Sequence, residues 1–419
     1  MSTQRPHVRV TRRRFLARAG ALAAGAALPR VLFARTGGAG RLVVVILRGA
    51  LDGLAAAPPH GDPHYALLHR ELAIAAPGAA DGALGLDSLF GLHPAMGFLH
   101  QRYLGGELIV FHAVASPYRD RSHFDGQNVL ENGLARPLGS ADGWLNRALA
   151  SLPRGTRRER AVAVSLNVPL ILRGDAPVLS KSPLETPDID ADLLARLQDL
   201  YSQDEWFSAR LSEAVQSERL IDAGAATLAM AVAPAMAGAP APSGRPAADR
   251  LSGAASMAGM LMRSEDGPEI AVIESGGWDT HANQGGAKGT LAQRLSGLDH
   301  ALRTLQEELQ GLWEQTAVLV VTEFGRTAAM NGTRGTDHGA GSCAFLVGGA
   351  VRGGRVVADW PGLAPNALLE NRDLKPTLDL RSVFKGVLDE HLRIDGKSLA
   401  TRVFPDSFRA PVLGGLIRA

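Results

Sequence analysis

The sequence predicts an α/β fold, with a mostly parallel sheet flanked by helices on both faces. Two observations carry that prediction. Six runs are almost continuously apolar and rich in β-branched residues: RLVVVIL (41–47), ELIVFHAV (107–114), AVAVSLNVPLIL (161–172), EIAVIES (269–275), TAVLVVTEF (316–324) and CAFLVGG (343–349). A strand that is apolar on both sides must be covered on both sides, which is the condition of a parallel sheet under helices. Between the runs lies helical periodicity. Leu291, Leu295, Leu298, Leu302, Leu305 and Leu309 recur at three- and four-residue spacing within 289–315, and that spacing lines one face of a helix.

The remaining elements follow in order. Residues 11–34, TRRRFLARAGALAAGAALPRVLFA, combine basic residues, a short apolar stretch and small residues near Ala34. Arg12 and Arg13 followed by Phe15 and Leu16 resemble a twin-arginine export signal, so 1–34 is expected to be a signal peptide and 35–419 a single α/β domain. An uncleaved anchor is the alternative. The uncharged run Ala19–Pro29 is too short to span a bilayer. HFDGQNVLENG (123–133) starts a short helix behind Ser122. Residues 190–223 read as one long helix or two, and DLRSVFKGVLDEHL (379–392) as a C-terminal helix. The Ala/Pro/Gly-rich stretch 223–250 reads as a helix end and loop.

Charge and cysteine content restrict function. Residues 1–34 hold seven Arg and no acid, which leaves 37 of the 44 basic residues against 42 acidic ones, a net of −5 for the remainder. No basic patch argues for nucleic acid. The single cysteine, Cys343, cannot form an internal disulfide and is expected as a small core residue. The expected location is periplasmic or secreted, with no membrane span in the mature chain.

In open α/β sheets ligands bind beyond the carboxyl ends of the strands, so the residues following each run matter most. Asp52 follows the first. Arg119, Arg121, Ser122 and His123 follow the second. Asp279 and His281 follow EIAVIES, two apart, so that extended backbone would aim both side chains the same way. Glu323 follows TAVLVV, with Arg326, Asp337 and His338 beyond it. Carboxylates with imidazoles suit Zn²⁺, Mn²⁺ or Fe more than Ca²⁺. Ser122 at a helix start faces amide donors that favour an anion and is a candidate nucleophile. Arg119, Arg121 and Arg326 are candidate anion-binding residues.

These motifs, LRGALDGL, SPYRDRSHFDGQNVLENG, GGWDTHANQ and TEFGRTAAMNGTRGTDHG, are similar in order and spacing to those of a bacterial family, domain of unknown function 1501. The resemblance implies an alkaline phosphatase-like sandwich, the superfamily of sulfatases, phosphodiesterases and phosphomutases. It implies a metal-dependent hydrolase of small anionic phosphate or sulfate esters. Ser122 takes the nucleophile position, with Arg326 catalytic and Arg121, His123 and Arg119 on the substrate. Asp52, Asp279, His281, Glu323, Asp337 and His338 are then the ligands of one or two divalent ions, with Zn, Mn, Fe, Mg and Ca all open. Phe324 stands where the superfamily usually has a ligand His. The alternative implied is a non-catalytic, metal-stabilised binding or assembly protein acting with an exported partner.

Overall fold

The structure is a computed structural model that describes residues 40–152, 160–182 and 247–418, with Leu200 and Asp204. The segment expected to direct export, most of the stretch 190–223 expected to be helical, and the Ala/Pro/Gly-rich stretch up to 246 lie outside the described residues. In chain order the strands are β1 Arg41–Arg48, β2 Leu84–Gly85, β3 Gly91–Leu92, β4 Leu108–Ala115, β5 Ala161–Val164, β6 Leu179–Ser180, β7 Ile270–Gly276, β8 Thr316–Thr322, β9 Ser342–Val347, β10 Arg355–Val357 and β11 Leu378–Asp379. The helices used below are α1 Gly53–Ala56, α2 Tyr65–His69, α3 Gly97–Leu104, α4 His123–Asn132, α5 Trp144–Ser151, α6 Ala247–Arg263, α7 Thr290–Leu309 and α8 Leu380–Leu392.

One large sheet runs β10-β4-β9-β8-β1-β7-β5-β6, with β11 also paired to β4. β1 lies between β7 and β8 and is parallel to both. Its side chains alternate between two cores. Val43, Val45 and Leu47 pack with residues of α3, α6 and α7 such as Phe98, Ala258 and Leu298. Leu42, Val44 and Ile46 pack with Leu130, Trp144 and Phe384 of α4, α5 and α8. Helices therefore cover both faces, as the apolar runs require. The six periodic leucines of α7 are all buried, and each such burial stabilises the fold by about 1.5–3 kcal/mol.

Two elements differ from the expected outline. The run 161–172 forms only the four-residue β5, followed by a 3₁₀ turn at Leu170–Leu172; Pro169 has no N–H to continue a ladder. CAFLVGG becomes β9, which is antiparallel to both β4 and β8. An antiparallel neighbour needs no crossover, so residues 323–341 leave β8 and re-enter the sheet at the same edge. Cys343 is buried in β9, and burial pushes its thiol pKa well up, which leaves it a core residue. Among the described residues no helix is long and apolar enough to cross a membrane.

His112 in β4 marks a register shift against β9, and Ala113 beside it has φ +52°. Its Nδ1 accepts from the Ala113 N–H at 2.8 Å, and its Nε2 faces the Ala57 carbonyl at 2.9 Å. Both nitrogens are satisfied only in the neutral ring. Burial, opposed weakly by Ala57 and Gly53, drops its pKa from 6.5 to about 4. A depressed folded pKa means that the unfolded chain takes up the proton first. The contribution present above pH 6.5 is therefore lost as pH falls towards 4, and it amounts to about 3 kcal/mol. Urea unfolding across that range is expected to show a shallower pH dependence in His112→Gln than in the wild type; equal slopes would contradict this account.

Candidate functional site

The carboxyl ends of β1, β4, β7 and β8 open on one edge, and the loops that follow them knit together. Thr336 N donates to Thr280 O at 3.2 Å and Thr327 N to Asp337 O at 2.8 Å. Asn331 Nδ2 bridges to His281 O at 2.9 Å and to Asp337 Oδ1 at 3.0 Å. Gly335 permits this close approach, since a Cβ there would lie 2.3 Å from the His281 carbonyl. Gly49 plays the same part for β1, where a Cβ would sit 2.6 Å from Asp279 N. After β7 the chain buries Trp278 and Thr280 and turns Asp279 and His281 outward, as the spacing of two predicts.

Three imidazoles and one carboxylate converge there. His338 Nε2 lies 2.9 Å from His123 Nε2, 3.0 Å from His281 Nε2 and 3.2 Å from Asp279 Oδ1. Asp279 Oδ1 is 3.0 Å from His281 Nε2, and its Oδ2 is 3.4 Å from His123 Nε2. Ligands bound tetrahedrally at zinc-type distances lie about 3.3 Å apart, and the spacings among His123, Asp279 and His338 are of that size. Among the described residues His123, Asp279 and His338 form the compact group able to hold a metal, and His281 borders it.

Each imidazole is turned inward by an acceptor behind it. His123 Nδ1 is 2.8 Å from Glu323 Oε1, His281 Nδ1 is 3.2 Å from Asp337 Oδ1, and His338 Nδ1 is 3.0 Å from the Arg121 carbonyl. With the hydrogens on Nδ1, the Nε2 lone pairs face one another. Phe324, where a ligand His was expected, stacks on His123 at 5.0 Å and borders His338 at 5.3 Å.

The electrostatics follow from these contacts. The hydrogen bond to Glu323 raises the His123 pKa against the effect of burial. Burial, then the charge of His123, lowers that of His338. Burial would raise Asp279 and Glu323, yet both lie below the ordinary carboxylate range; Arg326 dominates for the first and His123 for the second. Asp337 is lowered chiefly by the hydrogen bond from Asn331.

Other residues singled out from the sequence sit elsewhere or are already engaged. Asp52 is buried beside α2: its Oδ1 accepts from Ala55 N at 3.1 Å, its Oδ2 accepts from Gln284 Nε2 at 2.8 Å, and His69 Nε2 is 3.4 Å away. Arg326 is buried, and its guanidinium donates to Asp279 Oδ1 at 2.6 Å and to the hydroxyl and carbonyl oxygens of Thr336. Arg121 donates to Asp373 and Glu370. Arg119 donates to the carbonyls of Ser116 and Tyr118. Ser122 occupies the N-cap position of α4, half-buried, and its hydroxyl does not cap the helix.

Sequence reasoning set His123 on the substrate side, whereas its Nε2 lies in the donor group. The available clue was its place in the first turn of a helix following a strand at the ligand edge. His69 and Gln127 carried no such signal, because a His within LLHREL or a Gln within a helix reads as an ordinary packed or surface residue; Gln284 and Thr336 lie in the quoted loops but are uncharged, and read there as turn residues.

A comparison with curated proteins finds no match. Among solved structures, the chain is similar to one described as Ps i-CgsB in complex with k-i-k-neocarrahexaose. The identity is 9% and the TM-score 0.41, over 89% of this chain and 77% of that one, a likeness too low to carry an argument. Residues 39–403 match the family described as Protein of unknown function (DUF1501). That match spans the strands, the four loops and the converging imidazoles, and the chain belongs to this family.

Proposed function

We propose that the protein is an exported metal-dependent hydrolase of phosphate or sulfate esters, built on one divalent ion held by His123, His281, His338 and Asp279. The observation that carries the reading is that His338 Nε2 and the Asp279 carboxylate meet each other and the Nε2 atoms of His123 and His281 at 2.9–3.4 Å. Three nitrogens and one oxygen suit zinc, iron or manganese better than calcium or magnesium. Such an ion, when bound, supplies positive charge beside a hydroxyl and an ester oxygen. Ser122 precedes the donor His123 and lies at the amino end of the ten-residue α4, where amide groups and the helix dipole favour an anion. In this reading Ser122 Oγ forms the bond to phosphorus or sulfur and the alcohol departs with its oxygen. Water then cleaves the seryl ester, releases the inorganic anion and restores the hydroxyl. Asp52 lies outside the ligand set. The basic, then apolar N-terminal segment supports export.

The test is metal analysis of the purified protein, then turnover of aryl phosphate and aryl sulfate esters after loading with Zn²⁺ or Mn²⁺. Ser122→Ala is expected to lower turnover on the order of 10³-fold or more. Wild-type protein that stays inert with metal bound would rule out the hydrolase. One observation favours the second reading, a metal-stabilised binding or assembly protein. The three guanidiniums that the hydrolase would aim at its anion, those of Arg119, Arg121 and Arg326, all donate to protein acceptors. Under that reading His338→Ala lowers stability in metal while no variant changes turnover.

A further inference from the structure

We infer that Glu323 and Asp337 are positioning residues that orient His123 and His281, and not ligands of the ion; this rests on the metal site proposed above. Glu323 is fully buried, and its oxygens are committed. Oε1 accepts from Gly49 N at 2.8 Å and Gln127 Nε2 at 3.2 Å and meets His123 Nδ1 at 2.8 Å; Oε2 lies 2.9 Å from Thr322 Oγ1, whose one hydrogen is shared with the Leu47 carbonyl at 2.8 Å. Each carboxylate oxygen offers about two lone-pair sites, so Oε1, the oxygen that faces the imidazole, could bind an ion only at the expense of a hydrogen bond in the dry interior.

The carboxylate is also anchored from behind. Gln127 Oε1 accepts from Arg48 Nη1 at 2.9 Å, and Arg48 is held by Glu131 at 2.8 Å and by Glu274. Arg48 closes β1, Glu274 lies in β7, and Gln127 and Glu131 lie on α4. The line Arg48–Gln127–Glu323–His123 thus fixes one imidazole against three elements of the sheet and its cover. Asp337 does the same for His281 with less support. Its Oδ1 takes Asn331 Nδ2 and faces His281 Nδ1, and its side chain is 49% exposed. Carboxylates behind ligating imidazoles fix the ring and raise its basicity. The buried one is therefore expected to matter more.

The experiment titrates the metal-free full chain with Zn²⁺ against a chromophoric chelator and records the Co²⁺ absorption spectrum. The wild type is expected to bind one ion, and His338→Ala to lose it. Glu323→Gln is expected to keep one ion with the same Co²⁺ band at saturation, but with affinity reduced roughly 10–100-fold; Asp337→Asn should lose less, about three- to tenfold. Should Glu323→Gln fail to fold, Asp337→Asn carries the test alone, since its side chain is half exposed. Loss of the ion in either carboxylate variant, as in His338→Ala, would make that residue a ligand and overturn the assignment. Affinities within about threefold of wild type would also overturn it, since outer-partner losses are ordinarily larger. Those two outcomes leave the metal site standing, whereas a wild type that binds no Zn²⁺ or Co²⁺ removes both.

Discussion

In His338→Ala, zinc is expected to stop protecting the fold. His338 Nε2 lies within 3.2 Å of a donor atom of each of the other three residues, so its loss removes an atom that meets all of them. An ion at 100 times its Kd raises the unfolding free energy of the protein that binds it by about 2.7 kcal/mol. The wild type should show that gain between chelator and Zn²⁺ in urea unfolding, and the variant should show none. A gain of equal size in the variant would remove His338 from the site. The comparison is internal to each protein, so any loss of metal-free stability cancels.

The second large effect lies away from the imidazoles. Asp52→Ala should cost about 3–5 kcal/mol of stability, since each buried polar group left without its partner costs about 1–3 kcal/mol. The deletion strands Gln284 Nε2, Ala55 N and, above all, His69. His69 is fully buried; its Nδ1 lies 2.9 Å from the Ala328 carbonyl, and its Nε2 has no hydrogen-bond partner, only Asp52 Oδ2 at 3.4 Å. Burial would raise the Asp52 pKa, but His69 and the surrounding donors outweigh it and hold it below 3.8. A depressed carboxylate contributes its stability above the unfolded pKa and loses it as pH falls through the folded one. The unfolding free energy in urea at neutral pH checks the cost, and zinc stoichiometry should stay at one ion. A loss under about 1 kcal/mol would show that the buried groups around Asp52 do not depend on its carboxylate, and loss of the ion would return Asp52 to the ligand set.

The legible part of the fold was that set by hydrophobicity along the chain. β1, β4, β7 and β8 could be read because each is apolar on both faces, and α7 because its leucines recur at helical spacing. The direction of β9 could not be read, since CAFLV looks the same running either way. The edge at which chemistry gathers was likewise legible, because it is where those strands stop. What could not be read was which atom of each side chain faces inward. Glu323 and Asp337 meet the outer nitrogens of His123 and His281, and a one-dimensional pattern of Asp, Glu and His does not distinguish a carboxylate in front of an imidazole from one behind it. Arg326 was legible as a cation at the right edge, but its partner Asp279 comes from another loop 47 residues away in sequence.

The place of β1 has a consequence for how the chain is made. It sits inside the sheet, yet both its neighbours lie far downstream: Leu42 pairs with Ile270 and with Ala317. At synthesis rates of roughly 5–20 residues per second, the strand VVVIL waits about 15–55 s for its second edge to be made. During that time an apolar strand with unpaired amides is open to aggregation. Pairing so distant in sequence also makes for slow folding. A nascent chain that stops short of β8 therefore has a sticky centre, and its solubility rests on whatever shields residues 43–47 until the last strands arrive.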